Sequence, residues 1–288
     1  MRVEKFKVEK QIKVSACIQN KYPMLSYGAV QKILRNKDVK VNGVRLSQDE
    51  TVFAGDEIVF YVNEFDLNKQ LEVVYDDENV VIVLKPRNLE TVTTTNDVSL
   101  KDMLSSQLIQ ELFAVHRLDR NTQGLVIFAK NLEAKRELDD AIKHRYLQKF
   151  YLAEVYGLLK KHSDNMIAYL NKDEKKAIVK ISSTPKIGYD KIQTNYKVLK
   201  ENESSSIVEI ELVTGKTHQI RAHFAHIGNF LIGDEKYGDT KINKMFKKRY
   251  QNLCAYKLIF HFEKGVLSYL NNKEIKVDFN KIDFCQNL

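Results

Sequence analysis

The chain has 288 residues, of which 43% are hydrophobic and 10% aromatic. That supplies apolar surface for a large domain plus a small one and excludes disorder as a global state. Its 46 basic and 38 acidic side chains leave a net charge of +8, which points to a polyanionic partner, nucleic acid or an anionic membrane, unless it reflects only a lysine-rich proteome.

The N-terminal MRVEKFKVEKQIKV lacks the apolar core of a signal peptide. No apolar run approaches the roughly 20 residues that span a bilayer. Cys17, Cys254 and Cys285 are widely spaced, with neither a disulfide framework nor metal-ligand spacing. A soluble, cytoplasmic protein without membrane association is expected. In SYGAVQKILRNK, Ser26 is an N-cap candidate, and Val30, Ile33 and Leu34 recur at helical spacing. VKVNGVRL sets Asn42-Gly43 between two alternating runs, the strongest short hairpin signal. AGDEIVFYV adds a turn and a strand ending near Val62, and the polar NEFDLNKQ reads as a linker. Residues 1–62 are thus expected to form a small domain, 63–70 a linker and 71–288 a larger domain.

In the larger part, LEVVYDDENVVIVLKP reads as two strands about Asp76–Asn79, and Gly124–Ala129 as a buried strand. NLEAKRELDDAIKHRY reads as a helix capped by Asn131, with Leu138, Ala141, Ile142 and Tyr146 on one face. KFYLAEVYG, SIVEIELVTG and LIFHFEKGVLSYL are further strands. Strands dominate without regular βα alternation, so the expected class is α+β with a mixed, mainly antiparallel sheet.

Two groups of charges stand out. Lys32, Arg35, Lys37, Lys40 and Arg45 fall about the first helix and hairpin, an edge that phosphates favour through counterion release. A solvated face explains the same pattern. In AVHRLDRNTQGLVIFAKN, Asp119 stands between Arg117 and Arg120 just before a core strand, and TGKTHQIRAHF supplies Arg221. An ion-pair network, a phosphate-contacting loop with an incidental acid, and a reactive carboxylate all fit. Periodicity does not separate them.

LSYGAVQKILRNKDVKVNGVRL closely resembles the small RNA-binding module named after the fourth small-subunit ribosomal protein, over roughly residues 11–62. HRLDRNTQGLVIFAKN and LVTGKTHQIRAHFAHIGNFLIGDEKYG resemble two signature blocks of the RluA group of pseudouridine synthases. KFYLAEVYG resembles its tyrosine-bearing strand, and VVIVLKP and NLCAYKL fall in the expected order. Gln123 stands where that family usually has serine, Lys216 for an arginine and Cys254 for a histidine.

The resemblance implies a pseudouridine synthase domain that converts uridine in RNA to pseudouridine, in large-subunit (23S) ribosomal RNA before transfer RNA. It implies that Asp119, Tyr151 and Arg221 are the catalytic aspartate, tyrosine and arginine. Asp119 would attack as a nucleophile or take a proton from the sugar. Arg221 would grip it through a planar fork, and Tyr151 would lie against the flipped uracil. Arg117 would fill the space the base leaves. Arg120, Lys85, Lys216 and His218 would meet RNA. The isomerisation needs no redox change, so no cofactor is expected. His116, His218 and His223 make no complete ligand set, so no metal is expected either. RNA is the expected partner and the chain is read as a monomer. The rivals are a non-catalytic RNA-binding assembly factor and a base-removing RNA glycosylase.

Overall fold

The computed structural model describes residues 2–22, 25, 27–62, 70–94, 98–173 and 178–286. Ser26, the expected helix cap, and residues 63–69 of the expected linker lie outside the described residues. The chain divides into two compact units, Met1–Glu72 with Glu90–Leu112 and Val73–Leu89 with Phe113–Leu288.

The first unit contains strands β1 (Arg2–Lys7), β2 (Ile12–Lys13), β3 (Val39–Val41), β4 (Val44–Arg45), β5 (Thr51–Val52) and β6 (Glu57–Val62). Its helices are α1 (Val14–Lys21), α2 (Tyr27–Arg35) and α3 (Leu100–Leu108). Four of the strands form a sheet in the order β1-β6-β3-β4. The apolar stripe of α2, Val30, Ile33 and Leu34, packs with Val39, Ile58 and Phe60 in one core. Asn42 and Gly43 have φ of 49° and 84°, the two positive values that a tight hairpin turn requires. Val41 accordingly faces Val44. Lys32, Arg35, Lys37 and Arg45 are exposed and Lys40 is half-buried.

The second unit is built on one large sheet. Its strands are β7 (Glu72–Asp76), β8 (Val80–Lys85), β9 (Phe113–Ala114), β10 (Gln123–Ala129), β11 (Leu147–Tyr156), β12 (Ser163–Asp173), β13 (Ile178–Ser182), β14 (Asp190–Glu201), β15 (Ser205–Leu212), β16 (Leu253–Phe260) and β17 (Glu274–Lys276). Among the described residues three α-helices accompany them: α4 (Leu132–His144), α5 (Gln219–His226) and α6 (Thr240–Met245). The main path runs β13-β12-β14-β15-β11-β16-β10-β8-β7. β10 runs parallel to β16 and antiparallel to β8, while β11 is antiparallel to both its neighbours. The sheet is mixed and mainly antiparallel, and the class is α+β. Asn131 caps α4 by accepting from the Ala134 N–H. Ala134, Leu138 and Ala141 pack against Leu125, Ile127 and Phe260.

Three local features differ from the sequence reading. Tyr146 does not extend the apolar face of α4, because Arg145 turns left-handed at φ 64° and ends the helix; the tyrosine is half exposed. LIFHFEKGVLSYL is a strand only to Phe260, since the Glu137 carboxylate accepts the N–H groups of Val266 and Leu267 and folds that segment onto α4. β12 and β14 carry polar residues on one face, which hid them beside the richer strands.

Gly124 decides where the loop before β10 enters the sheet. It faces Ala255 in the parallel register. Its φ is +134°, and a Cβ there would lie 2.3 Å from the Ala255 carbonyl oxygen. Gly124→Ala is therefore expected to lower unfolding free energy by about 2–4 kcal/mol, read by urea denaturation. An unchanged midpoint would contradict so close an approach of the two strands.

Candidate active site

Asp119 lies in the turn that leads into β10. Its carbonyl accepts from the Thr122 N–H at 3.0 Å. Lys85, the last residue of β8, is fully buried. Its Nζ donates to the carbonyls of Pro86, Leu89 and Arg120 at 2.9, 2.6 and 3.0 Å. The ammonium thus ties the loop after β8 to the turn that carries Asp119. This corrects the phosphate contact expected of Lys85: the charge is spent on three backbone carbonyls and has no face to solvent.

Arg221 approaches from α5, whose first turn is set by Gln219. The Gln219 Oε1 accepts from the Thr214 hydroxyl at 2.9 Å and the Lys216 N–H at 3.1 Å. Arg221 NH1 donates to Asp119 Oδ2 at 2.8 Å. Its Nε and NH2 donate to Asp234 Oδ2 and Oδ1 at 2.6 and 2.9 Å. The two-point grip expected on Asp119 therefore falls on Asp234. The reason is desolvation: Asp234 is fully buried, and a bidentate guanidinium is the partner that offsets its cost. The backbone N–H groups of Lys236 and Tyr237 also reach Asp234 Oδ1, at 2.8 and 3.0 Å.

The electrostatics follow from this sharing. Burial works against the Arg221 charge, but the bonds and charges of Asp234 and then Asp119 outweigh it and raise its pKa. Burial likewise opposes the Asp234 charge, yet Arg221 and the two N–H groups hold that carboxyl below its ordinary value. The His218 Nε2 lies 3.8 Å from Asp119 Oδ2, and its Nδ1 is hydrogen-bonded to the Tyr237 hydroxyl at 2.9 Å. Burial lowers the His218 pKa, with Asp119 opposing and Arg221 assisting. Asp119 itself is 26% exposed. Its Oδ1 carries no hydrogen bond from the described residues.

Tyr151 lies on β11 opposite Ile210 and Ala255 and is 6% exposed. Burial first, then the Asp119 charge, raise its pKa and keep the phenol neutral. A cavity of about 580 Å³ brings together Asp119, Tyr151, Arg221, Arg117, Lys216 and His218 from the expected set. Arg120 is exposed and outside its lining. Lys32, Arg35, Lys37, Lys40 and Arg45 belong to the first unit.

The other sequence candidates have local partners. Lys216 pairs with Asp190 at 2.7 Å. His116 Nε2 accepts from the Ile127 N–H at 3.1 Å, and burial with the nearby Lys149 charge lowers its pKa to about 3. His223 is hydrogen-bonded to the Thr194 hydroxyl at 3.0 Å, and burial lowers it to about 4. Among the described residues no cluster of three or more His, Cys, Asp or Glu side chains is arranged to hold a metal ion. Gln123 donates to the Lys281 carbonyl at 3.2 Å and faces the buried Cys254 in the parallel register. Sequence reasoning missed Asp234, Tyr237, Gln219 and Lys149. The nearest signal was the Gly233-Asp234 pair inside the second signature block.

Comparison with known proteins gives the family. The family model for RNA pseudouridylate synthase matches residues 79–226. A Rickettsia bellii protein named ribosomal large subunit pseudouridine synthase C is 31% identical over 282 residues, covering 87% of this chain and 93% of that protein. An Aquifex aeolicus protein named as an uncharacterized RNA pseudouridine synthase is 32% identical over 259 residues, covering 82% of this chain and 80% of that one. The solved structure of Human RNA Pseudouridylate Synthase Domain Containing 1 shares the fold, with a TM-score of 0.62 at 22% identity over 75% of this chain and 87% of that one. The chain belongs to the RNA pseudouridylate synthase family, and its signature blocks are those of the RluA type. It is an RNA pseudouridine synthase.

Asp234→Asn leaves the buried guanidinium short of a counter-charge and is expected to cost about 3–5 kcal/mol at neutral pH. A carboxyl whose folded pKa lies below its unfolded value of ~3.9 stabilises the fold above that value, and loses this contribution as pH falls through the folded pKa. In urea unfolding, the gap between wild type and variant should therefore narrow in acid below ~4. A gap that is absent at neutral pH, or constant into acid, would contradict the assignment.

Proposed function

We propose that this chain isomerises uridine in large-subunit ribosomal RNA, with Asp119, Tyr151 and Arg221 as its catalytic side chains. The observation that carries the reading is the Asp119 carboxylate, held through Oδ2 by Arg221 and open at Oδ1, in a cavity shared with Tyr151. The RNA class is supported by relatives named ribosomal large subunit pseudouridine synthase C.

The reacting base must leave its stack to reach this depth. Tyr151 then lies against the uracil, and its neutral phenol adds no charge beside the carboxylate. Oδ1 attacks C1′ or takes the C2′ proton. By either route the N1–C1′ electron pair leaves with uracil. Arg117, exposed at the cavity rim, fills the place the base leaves. Arg120, Lys216 and His218 meet the RNA around it. In the first unit, Lys32, Arg35, Lys37, Lys40 and Arg45 hold phosphates, as the resemblance to the ribosomal-protein module implies. An amide at position 119 keeps the size and removes the reactive charge.

The substrate for the test is a large-subunit ribosomal RNA transcript labelled with tritium at uridine C5, because C5 gives up its hydrogen when it joins the sugar. Asp119→Asn is expected to reduce tritium release by about 10²–10⁴-fold while still binding the transcript. Release at the wild-type rate would remove Asp119 from the chemistry.

A further inference from the structure

Lys149, a cation of the cavity lining, has no part in this reaction so far. Lys149 lies on β11 two residues before Tyr151, so both side chains leave the same face of the strand, roughly 6–7 Å apart. Both line the cavity. Phe150 between them carries the Lys257 ammonium 4.2 Å from its ring centroid. The Lys149 Nζ reaches the turn before α5, where a Cβ added to Gly215 would lie 3.4 Å from it.

The neighbouring charges do not neutralise it. Arg221 is shared between two carboxylates and Lys216 is paired with Asp190. Arg117 and Arg145 are exposed. The Glu211 carboxylate, also in the cavity lining, takes its hydrogen bond from Asn195 at 2.8 Å. The Lys149 side chain makes no hydrogen bond or ion pair with any described residue. Burial lowers its pKa, and its charge helps to lower that of His116. Lys149 is half-buried, and an ammonium partly withdrawn from water without a counter-ion is less favourable than one paired with a ligand's negative charge.

We propose that Lys149 is the counter-charge for the uracil ring while that ring is detached from the sugar. The inference rests on the isomerase reading above. When the N1–C1′ bond breaks, its electron pair stays on the base and spreads over N1, O2 and O4. Asp119 takes up the C1′ bond or the C2′ proton. The anionic ring turns against Tyr151, and its C5 forms the new bond to C1′. Asp119 is released, or returns its proton to C2′; the C5 proton then passes to water and N1, freed of the sugar, takes a proton from water in exchange. The base carries negative charge only between the two bond changes. A fixed ammonium beside it therefore stabilises the crossing and not the bound uridine. Lys149 forms no covalent bond in this sequence.

The test uses the full chain and the tritium-labelled large-subunit ribosomal RNA transcript. Lys149→Met removes an unpaired, half-buried charge, so its thermal midpoint is expected to stay or rise. Its single-turnover rate at saturating enzyme is expected to fall by about 10²-fold or more, with unchanged RNA affinity and unchanged dependence of affinity on salt. Lys149→Gln should show the same separation, and Lys149→Arg should recover part of the rate. A wild-type rate in Lys149→Met or Lys149→Gln would overturn the proposal. So would weaker binding with a smaller salt slope and a normal rate at saturation, the behaviour of a phosphate contact. Absence of release by the wild type would instead overturn the ribosomal RNA reading on which the proposal rests.

Discussion

Arg221 stands between two carboxylates, and the catalytic unit is arranged around that sharing. One acid, Asp234, is fully buried and takes two guanidinium bonds. The other, Asp119, keeps solvent access and takes one. The inequality has a physical cause. A desolvated carboxylate needs several charge-assisted donors, and a part-exposed one does not. Asp234 consequently fixes the plane of the guanidinium, and NH1 is left to fix Asp119. Asp119 is oriented through a charge that is itself immobilised by a second acid.

The sheet brings these groups together from distant parts of the chain. β10 meets β16 in parallel at Gly124, where no side chain fits, and this sets the turn that carries Asp119. Lys85 closes the turn from the side of β8 through three carbonyls. β11 supplies Tyr151 and Lys149 on one face. α5, started by Gln219, supplies Arg221. These side chains thus come from a strand, from a helix whose first turn is set by Gln219, and from a turn braced by buried polar bonds. On the proposed reading this bracing matters, since small misplacements of reacting groups cost much of the rate.

Local chemistry made part of this legible in the sequence. Asn42-Gly43 requires positive φ at both positions, and only a tight hairpin uses that pair. Val30, Ile33 and Leu34 fall on one helical face whatever surrounds them. Asp119 attracted attention because a carboxylate between arginines before a core strand is unusual, but its role came from family resemblance, since spacing left an ion-pair network equally open. What stayed hidden depended on space. No sequence pattern links Arg221 to Asp234 in preference to Asp119. Lysines are normally solvated, so burial of Lys85 under three carbonyls follows only from the fold. Tyr146 continued an apolar stripe on paper, and one left-handed residue removed it.

The central claim is that Arg221 acts by joining Asp234 to Asp119 and not by its charge alone. Arg221→Lys separates the two, because an ammonium keeps the charge but cannot span both acids in one plane. The direct measurement is its single-turnover isomerisation rate at saturating enzyme, beside its affinity for the same RNA. A rate lowered by about 10²-fold or more, with affinity retained, is the predicted result. A near-normal rate would contradict the bridging role. Weakened affinity with a normal rate at saturation would contradict it equally.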